Sequence, residues 1–112
     1  MTGARNPEIA RFDVFANPDG AERKRIPFFV DVQSDRIRDI QTRVVVPLWR
    51  RDAVTDRLEN LHPEFEVTGQ RVVMDTPALG SLLTKVLKRA GVNWAADQLL
   101  IQDALDSLFG GY

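Results

Sequence analysis

Ile26-Pro27-Phe28-Phe29-Val30-Asp31-Val32-Gln33-Ser34-Asp35 is the stretch that decides the fold. Ile26, Phe28, Val30 and Val32 alternate with Pro27, Phe29, Asp31 and Gln33, the two-residue period of a half-buried strand. Pro27 lacks an N–H and fits the start or edge of a strand, not a central ladder position. Asp31 and Asp35 flank Gln33-Ser34, where Asx and Ser side chains can bond nearby backbone and end the strand. Upstream, Phe12, Val14 and Ala16 alternate with Arg11, Asp13 and Phe15, which predicts a first strand. It runs into Asn17-Pro18-Asp19-Gly20, a strong turn, and the charged loop tip Ala21–Arg25. Downstream, the β-branched run Thr42–Leu48 predicts a third strand whose pairing is limited at Pro47. Asp52–Leu61 reads as a short helix or an irregular loop, and Glu66–Met74 as a hairpin around Gly69.

Two helices are expected beyond that hairpin. Leu79, Leu82, Leu83, Val86, Leu87 and Ala90 keep helical spacing, with Thr76 as N-cap, Pro77 at the first position and Gly91 just past the end. Gly80 inside the span counts against this helix. The second has Asp97 as N-cap and an apolar stripe of Leu100, Ile101, Ala104, Leu105 and Leu108. It should stop at Gly110-Gly111, leaving Tyr112 beyond it. Trp94, just before this helix, is placed to act as a hydrophobic staple.

The chain has 112 residues, 44% hydrophobic and 28% charged, ordinary for one small globular domain. Residues 1–10 read as a flexible leader and 11–112 as a single domain. A net charge of −1 argues against a strongly basic nucleic-acid binder. The absence of cysteine excludes disulfides, Cys–zinc sites and a cysteine nucleophile, and fits a reducing cytosol. No apolar run approaches the ~20 residues that span a bilayer, and Met1–Ala10 has no signal-peptide pattern. A cytoplasmic protein without membrane contact is expected.

No enzyme motif stands out. His62 is the only histidine, no Gly-x-Ser-x-Gly elbow supplies a nucleophile, and one histidine without cysteines makes no typical zinc site. His62 reads as a loop histidine, solvated or locally hydrogen-bonded. Gly110-Gly111 does not precede a helix and so is no phosphate loop. Arg23-Lys24-Arg25 and Arg50-Arg51 are basic clusters at loop tips, and Trp49 is an aromatic at a strand end. The final helix followed by Phe109, two glycines and Tyr112 reads as a frayed end or as an aromatic hook.

Several segments together resemble the CcdB family of toxins from bacterial toxin–antitoxin modules. They are Phe29-Val30-Asp31-Val32-Gln33-Ser34-Asp35, Val45-Val46-Pro47-Leu48, Leu61-His62-Pro63, Asp75-Thr76-Pro77-Ala78-Leu79 and the stretch from Ile101 to Tyr112. The resemblance implies a mainly β (α+β) fold: an SH3-like barrel of antiparallel strands with a C-terminal α-helix, of the CcdB/MazF-like kind. It implies that residues 79–90 are partly extended, against the helical spacing. It also implies a homodimer that binds the A subunit of DNA gyrase and traps its cleaved-DNA complex, a topoisomerase inhibitor rather than an enzyme, with no cofactor. The gyrase-binding positions then fall on Arg36, Ile37, Asp106, Phe109, Gly110, Gly111 and Tyr112. A CcdA-like antitoxin would neutralise the toxin, engaging the loop that carries Glu22, Arg23, Lys24 and Arg25. Operator DNA would be contacted only through the antitoxin.

Two departures are visible. Gly110 stands where the family has a tail Trp, and Arg36 replaces an aliphatic residue. They leave two other functions to weigh. One is a degenerate toxin that binds antitoxin and co-represses its operon without poisoning gyrase. The other is a MazF-like endoribonuclease, for which Arg23, Arg25 or Arg43 would have to serve an RNA groove.

Overall fold

Nine consecutive residues, Thr42–Arg50, form the longest strand, β3, and the other strands are arranged around it. The computed structural model describes residues 9–37 and 40–110. The remaining strands are β1 (Asp13–Ala16), β2 (Phe28–Asp31), β4 (Glu64–Val67), β5 (Gln70–Met74), β6 (Gly80–Leu83) and β7 (Lys88–Asn93), and helix α1 spans Gln98–Phe109. They make a curled antiparallel half-barrel in the order β4-β5-β3-β2-β1-β7, with β6 also on β3. With the one C-terminal helix this is the SH3-like fold expected.

Along one edge β3 pairs with β2, from Phe28↔Leu48 to Asp31↔Val45. The other edge is divided. β6 pairs with Thr42–Val45, and β5 with Leu48–Arg50. Pro47 falls in the gap between these two partners. Its carbonyl accepts the Asp75 N–H at 3.0 Å, and no ladder donor is needed there, which is how a proline sits inside the central strand.

One face of the sheet carries Val14, Val30, Val46, Leu48, Val72 and Met74, packed with Ile101, Ala104 and Leu105 of α1. Trp94 stacks on Phe65 at 4.2 Å between ring centroids, closing the end of this core. β1 is buried on both sides, because Phe15 is as covered as Val14. Phe12 enters it with φ +74, a conformation that costs a bulky residue of order 1–3 kcal/mol. It is pinned there on both sides: its N–H donates to the Asp31 carbonyl at 2.8 Å, and its carbonyl accepts the Trp94 N–H at 2.9 Å.

The helix expected over residues 77–91 does not form. Thr76–Ala78 is a 3-10 turn, β6 follows, Thr84–Val86 is a second 3-10 turn, and β7 completes the segment. The reason is tertiary. β6 covers the open edge of β3, and β7 covers that of β1. A helix would leave both rows of backbone donors and acceptors bare. The Asp52–Leu61 alternatives resolve to a 3-10 turn at Arg51–Ala53 followed by irregular chain. Asp97 holds the N-cap position of α1, but its side chain makes no capping bond.

The hairpin around Gly69 is formed, with Thr68 at φ +47 and Gly69 at φ +85. Two central residues with positive φ match the twist of the flanking strands. A Cβ at Gly69 would meet no atom within 4 Å, so only the backbone resists substitution. Gly69→Ala should therefore lower the unfolding free energy by about 1–2 kcal/mol, read as a fall in urea midpoint at unchanged m-value.

Candidate functional site

Asp31 is fully buried at the end of β2, and Arg43 of β3 meets it with two nitrogens. Arg43 Nε lies 2.6 Å from Oδ2, and its Nη2 lies 2.9 Å from Oδ1. Burial pushes the Asp31 carboxyl up from its ordinary value, while Arg43 pulls it back. The same contact holds the Arg43 guanidinium more firmly in its charged form. Asp13 lies beside this pair on β1, accepting from Arg89 Nε at 3.2 Å and from Asn93 Nδ2 at 2.9 Å.

The pair fastens the chain that leaves β2. The Gln33 N–H donates to Asp31 Oδ1 at 3.0 Å, closing an Asx turn, and Gln33 Oε1 accepts the Val44 N–H at 3.0 Å. The Arg36 N–H donates to Ser34 Oγ at 3.2 Å, and the Ile37 N–H to the Ser34 carbonyl at 3.1 Å. The local strand ending expected at Asp31–Asp35 is therefore present. The buried ion pair beneath it was not anticipated. Its one sequence signal is a carboxylate in the middle of an apolar strand.

Arg36 and Ile37 stand exposed on this turn, Ile37 at 48%. A hydrogen-bonded chain joins the turn to α1. Asp35 Oδ1 accepts the Arg11 N–H at 2.8 Å. Arg11 Nη2 donates to Gln102 Oε1 at 3.1 Å, and Gln102 Nε2 donates to Asp106 Oδ1 at 3.3 Å. Segments some seventy residues apart in sequence, about Arg36 and about Asp106, are thus held in one network. Neither Arg11 nor Gln102 was singled out from sequence, since only the fold brings them together.

At the far end of α1, Phe109 is 69% exposed. Gly110 takes the left-handed conformation, φ 66 and ψ 42, and its N–H donates to the Asp106 carbonyl, closing the helix. The tail glycine is thus a helix terminator. Gly111, Tyr112 and most of the leader, residues 1–8, lie outside the described residues.

The loop Glu22–Arg25 lies at the opposite end of β2 from this turn. Glu22–Lys24 is a 3-10 turn, capped by Asp19 Oδ1, which accepts the Ala21 and Glu22 N–H groups at 3.0 and 3.2 Å. Buried Asn17 organises it, donating to Glu22 Oε1 at 2.9 Å and accepting at its carbonyl from Arg23 Nε at 2.9 Å. Lys24 and Arg25 stand exposed.

His62 is locally bonded, as expected of a loop histidine. Its Nδ1 accepts the Leu58 N–H at 3.0 Å, and its Nε2 lies 3.2 Å from Asp75 Oδ1. Among the described residues no group of three His, Cys, Asp or Glu side chains could hold a metal ion. No helix among them is long and apolar enough to cross a membrane. Arg43, one of the arginines considered for an RNA groove, is enclosed and committed to Asp31.

The family model described as CcdB protein matches residues 11–111 of the chain. No curated protein matches it.

Removing the guanidinium alone tests the buried pair. In Arg43→Met, Asp31 loses its counter-charge, and the loss should be about 3–5 kcal/mol at neutral pH. Asp31 would then titrate still higher in the folded chain than in the unfolded one. A raised carboxyl contributes stability that is present below its unfolded value and lost as pH rises through its folded value. The variant should therefore regain stability in mild acid, read by urea unfolding at neutral and mildly acid pH.

Proposed function

The chain belongs to the CcdB family, and is thereby the toxin of a toxin–antitoxin module; we propose that it acts by binding the A subunit of DNA gyrase and trapping the cleaved-DNA complex. The observation that carries this reading is the network Asp35–Arg11–Gln102–Asp106. It ties the turn bearing Arg36 and Ile37 to the helix bearing Asp106 and Phe109. The positions that the family resemblance assigns to gyrase are thereby held on one framework. Apolar Ile37 and Phe109 are exposed beside the polar residues Arg36 and Asp106, an arrangement suited to a protein partner.

In this reading the protein is a binding inhibitor and no residue is catalytic. It works as a homodimer, and Gly111 and Tyr112 continue the contact from Gly110. The CcdA-like antitoxin engages the loop of Glu22, Arg23, Lys24 and Arg25, and operator DNA is reached only through the antitoxin. A segment that folds as it binds would suit such a charged loop. The enclosure of Arg43 by Asp31 speaks against an endoribonuclease that uses it.

One observation favours a second reading. Gly110 supplies no stacking surface where the family has Trp, and an aromatic or cation–π contact is worth roughly 0.5–2 kcal/mol. A chain without it would bind antitoxin and co-repress without poisoning gyrase.

The two readings separate in a plasmid assay with gyrase, supercoiled DNA and ATP, scored for linear product after the enzyme is denatured. Poisoning predicts that linear DNA accumulates at micromolar protein, that Tyr112→Ala abolishes it, and that Phe109→Ala reduces it about ten-fold or more, a loss of ~1.4 kcal/mol or more. Absence of linear DNA with antitoxin binding intact would establish the second reading.

A further inference from the structure

A notch of about 230 Å³ lies at the far end of β3, lined by Trp49, Val54, Asp56, His62, Val73 and Asp75 among others. Trp49 and Val73 face each other across β3 and β5 and line its floor. Asp75 accepts from the Trp49 indole Nε1 at 3.2 Å. His62 Nδ1 lies 3.0 Å from the Leu58 backbone nitrogen and 3.2 Å from its carbonyl oxygen, and Nε2 lies 3.2 Å from the other Asp75 oxygen. The Asp75 carboxylate is thus held between the Trp49 indole and the His62 ring, with a quarter of its side chain exposed at the notch (25%).

Asp56 supplies a second carboxylate, and no described residue bonds or pairs with it. The guanidinium groups nearby are committed elsewhere. Arg51, Arg57 and Arg71 all converge on Glu64, at 3.1, 3.3 and 2.8 Å. Arg51 also donates to the Val54 carbonyl at 3.1 Å. Arg71, with Arg51 and Arg57, holds the Glu64 carboxyl below its ordinary range. The notch is therefore locally acidic beside arginines that are already paired.

We propose that this notch is a docking site for one arginine side chain of a partner protein, its guanidinium lying on the Trp49 indole and paired with Asp56 and Asp75. Its volume falls under the roughly 300–1,000 Å³ of sites for drug-sized molecules, and suits a single side chain. Ala53 and Val54 offer apolar surface to an aliphatic stem. Two carboxylates repel an anion. Arginine fits better than lysine because its planar, weakly hydrated head stacks on an indole while bonding carboxylates at its edge. The site lies apart from the residues assigned to gyrase, and its test is independent of that reading.

The test is an NMR titration of the full chain with a blocked Gly-Arg-Gly peptide, read at the Trp49 indole N–H. Trp94, buried against Phe65, is the internal reference. The Trp49 resonance should move saturably while Trp94 stays still. The peptide with citrulline in place of arginine should leave Trp49 unmoved. Asp56→Asn, a change at an exposed residue, should weaken binding by about 2- to 5-fold, the range an exposed ion pair supplies. No saturable movement, equal movement with citrulline, movement of Trp94 as well, or unchanged affinity in Asp56→Asn would each overturn the proposal.

Discussion

The Asp31–Arg43 ion pair is the constraint on which the rest of the architecture depends. Two opposite charges are withdrawn from water in the sheet, and withdrawal costs several kcal/mol per ion. Only close geometry and further hydrogen bonds offset it, and both are present: a two-pronged contact, with the Gln33 N–H as an additional donor to Asp31. Such a pair is a poor source of net stability, since well-packed apolar residues would serve about as well. What it supplies here is placement. A slip of β2 against β3 by one residue would turn Asp31 to the opposite face, into the apolar core, and separate it from Arg43. The pair therefore fixes the β2–β3 register, and through Gln33 it fixes where the chain leaves the sheet.

That exit point matters because the candidate surface is assembled from parts with no local relation. Arg36 and Ile37 follow β2, whereas Asp106 and Phe109 ride on the last helix. The helix is positioned by burial of Ile101, Ala104 and Leu105, and the turn by a buried ion pair. Arg11 joins the two, because its backbone N–H reaches Asp35 while its guanidinium reaches Gln102. Its guanidinium carbon also lies 4.9 Å from the centroid of the Phe12 ring, so its stem is guided by the residue whose strained backbone begins β1. An error of packing in the core would be felt as a displacement between turn and helix.

Sequence periodicity was most informative where one face of an element meets the core and the other does not. Helix α1 satisfies that condition, with Ile101, Ala104 and Leu105 buried, and its pattern reads true. β1 does not: Phe15 and Val14 are both buried, so its alternation says little about which side is inside. Residues 79–90 fail for another reason. Leu79, Leu82 and Val86 stand at helical spacing, yet they are only half buried, and hydrogen bonding with β3 and β1 decides their conformation. Propensity in such a segment is worth tenths of a kcal/mol per residue, less than the cost of leaving two sheet edges unpaired. The family resemblance carried the information that spacing lacked. The fasteners of the candidate site, Arg43, Arg11 and Gln102, were unreadable because each acts on a residue distant in sequence.

Gly110 has a structural role at a position to which the proposed function also assigns a contact. In the left-handed conformation a side chain with a Cβ is strained, and glycine is not. Glycine at this place therefore closes α1 cleanly after Phe109. A tryptophan here would contribute a large stacking surface at the expense of that termination. The aromatic surface that α1 does present is Phe109, on the last turn of a helix held by the core. A side chain anchored on a helix loses less conformational freedom on binding than one on a free tail. Under the proposed function, an aromatic contact one position back on the helix would offset part of the stacking surface that glycine lacks.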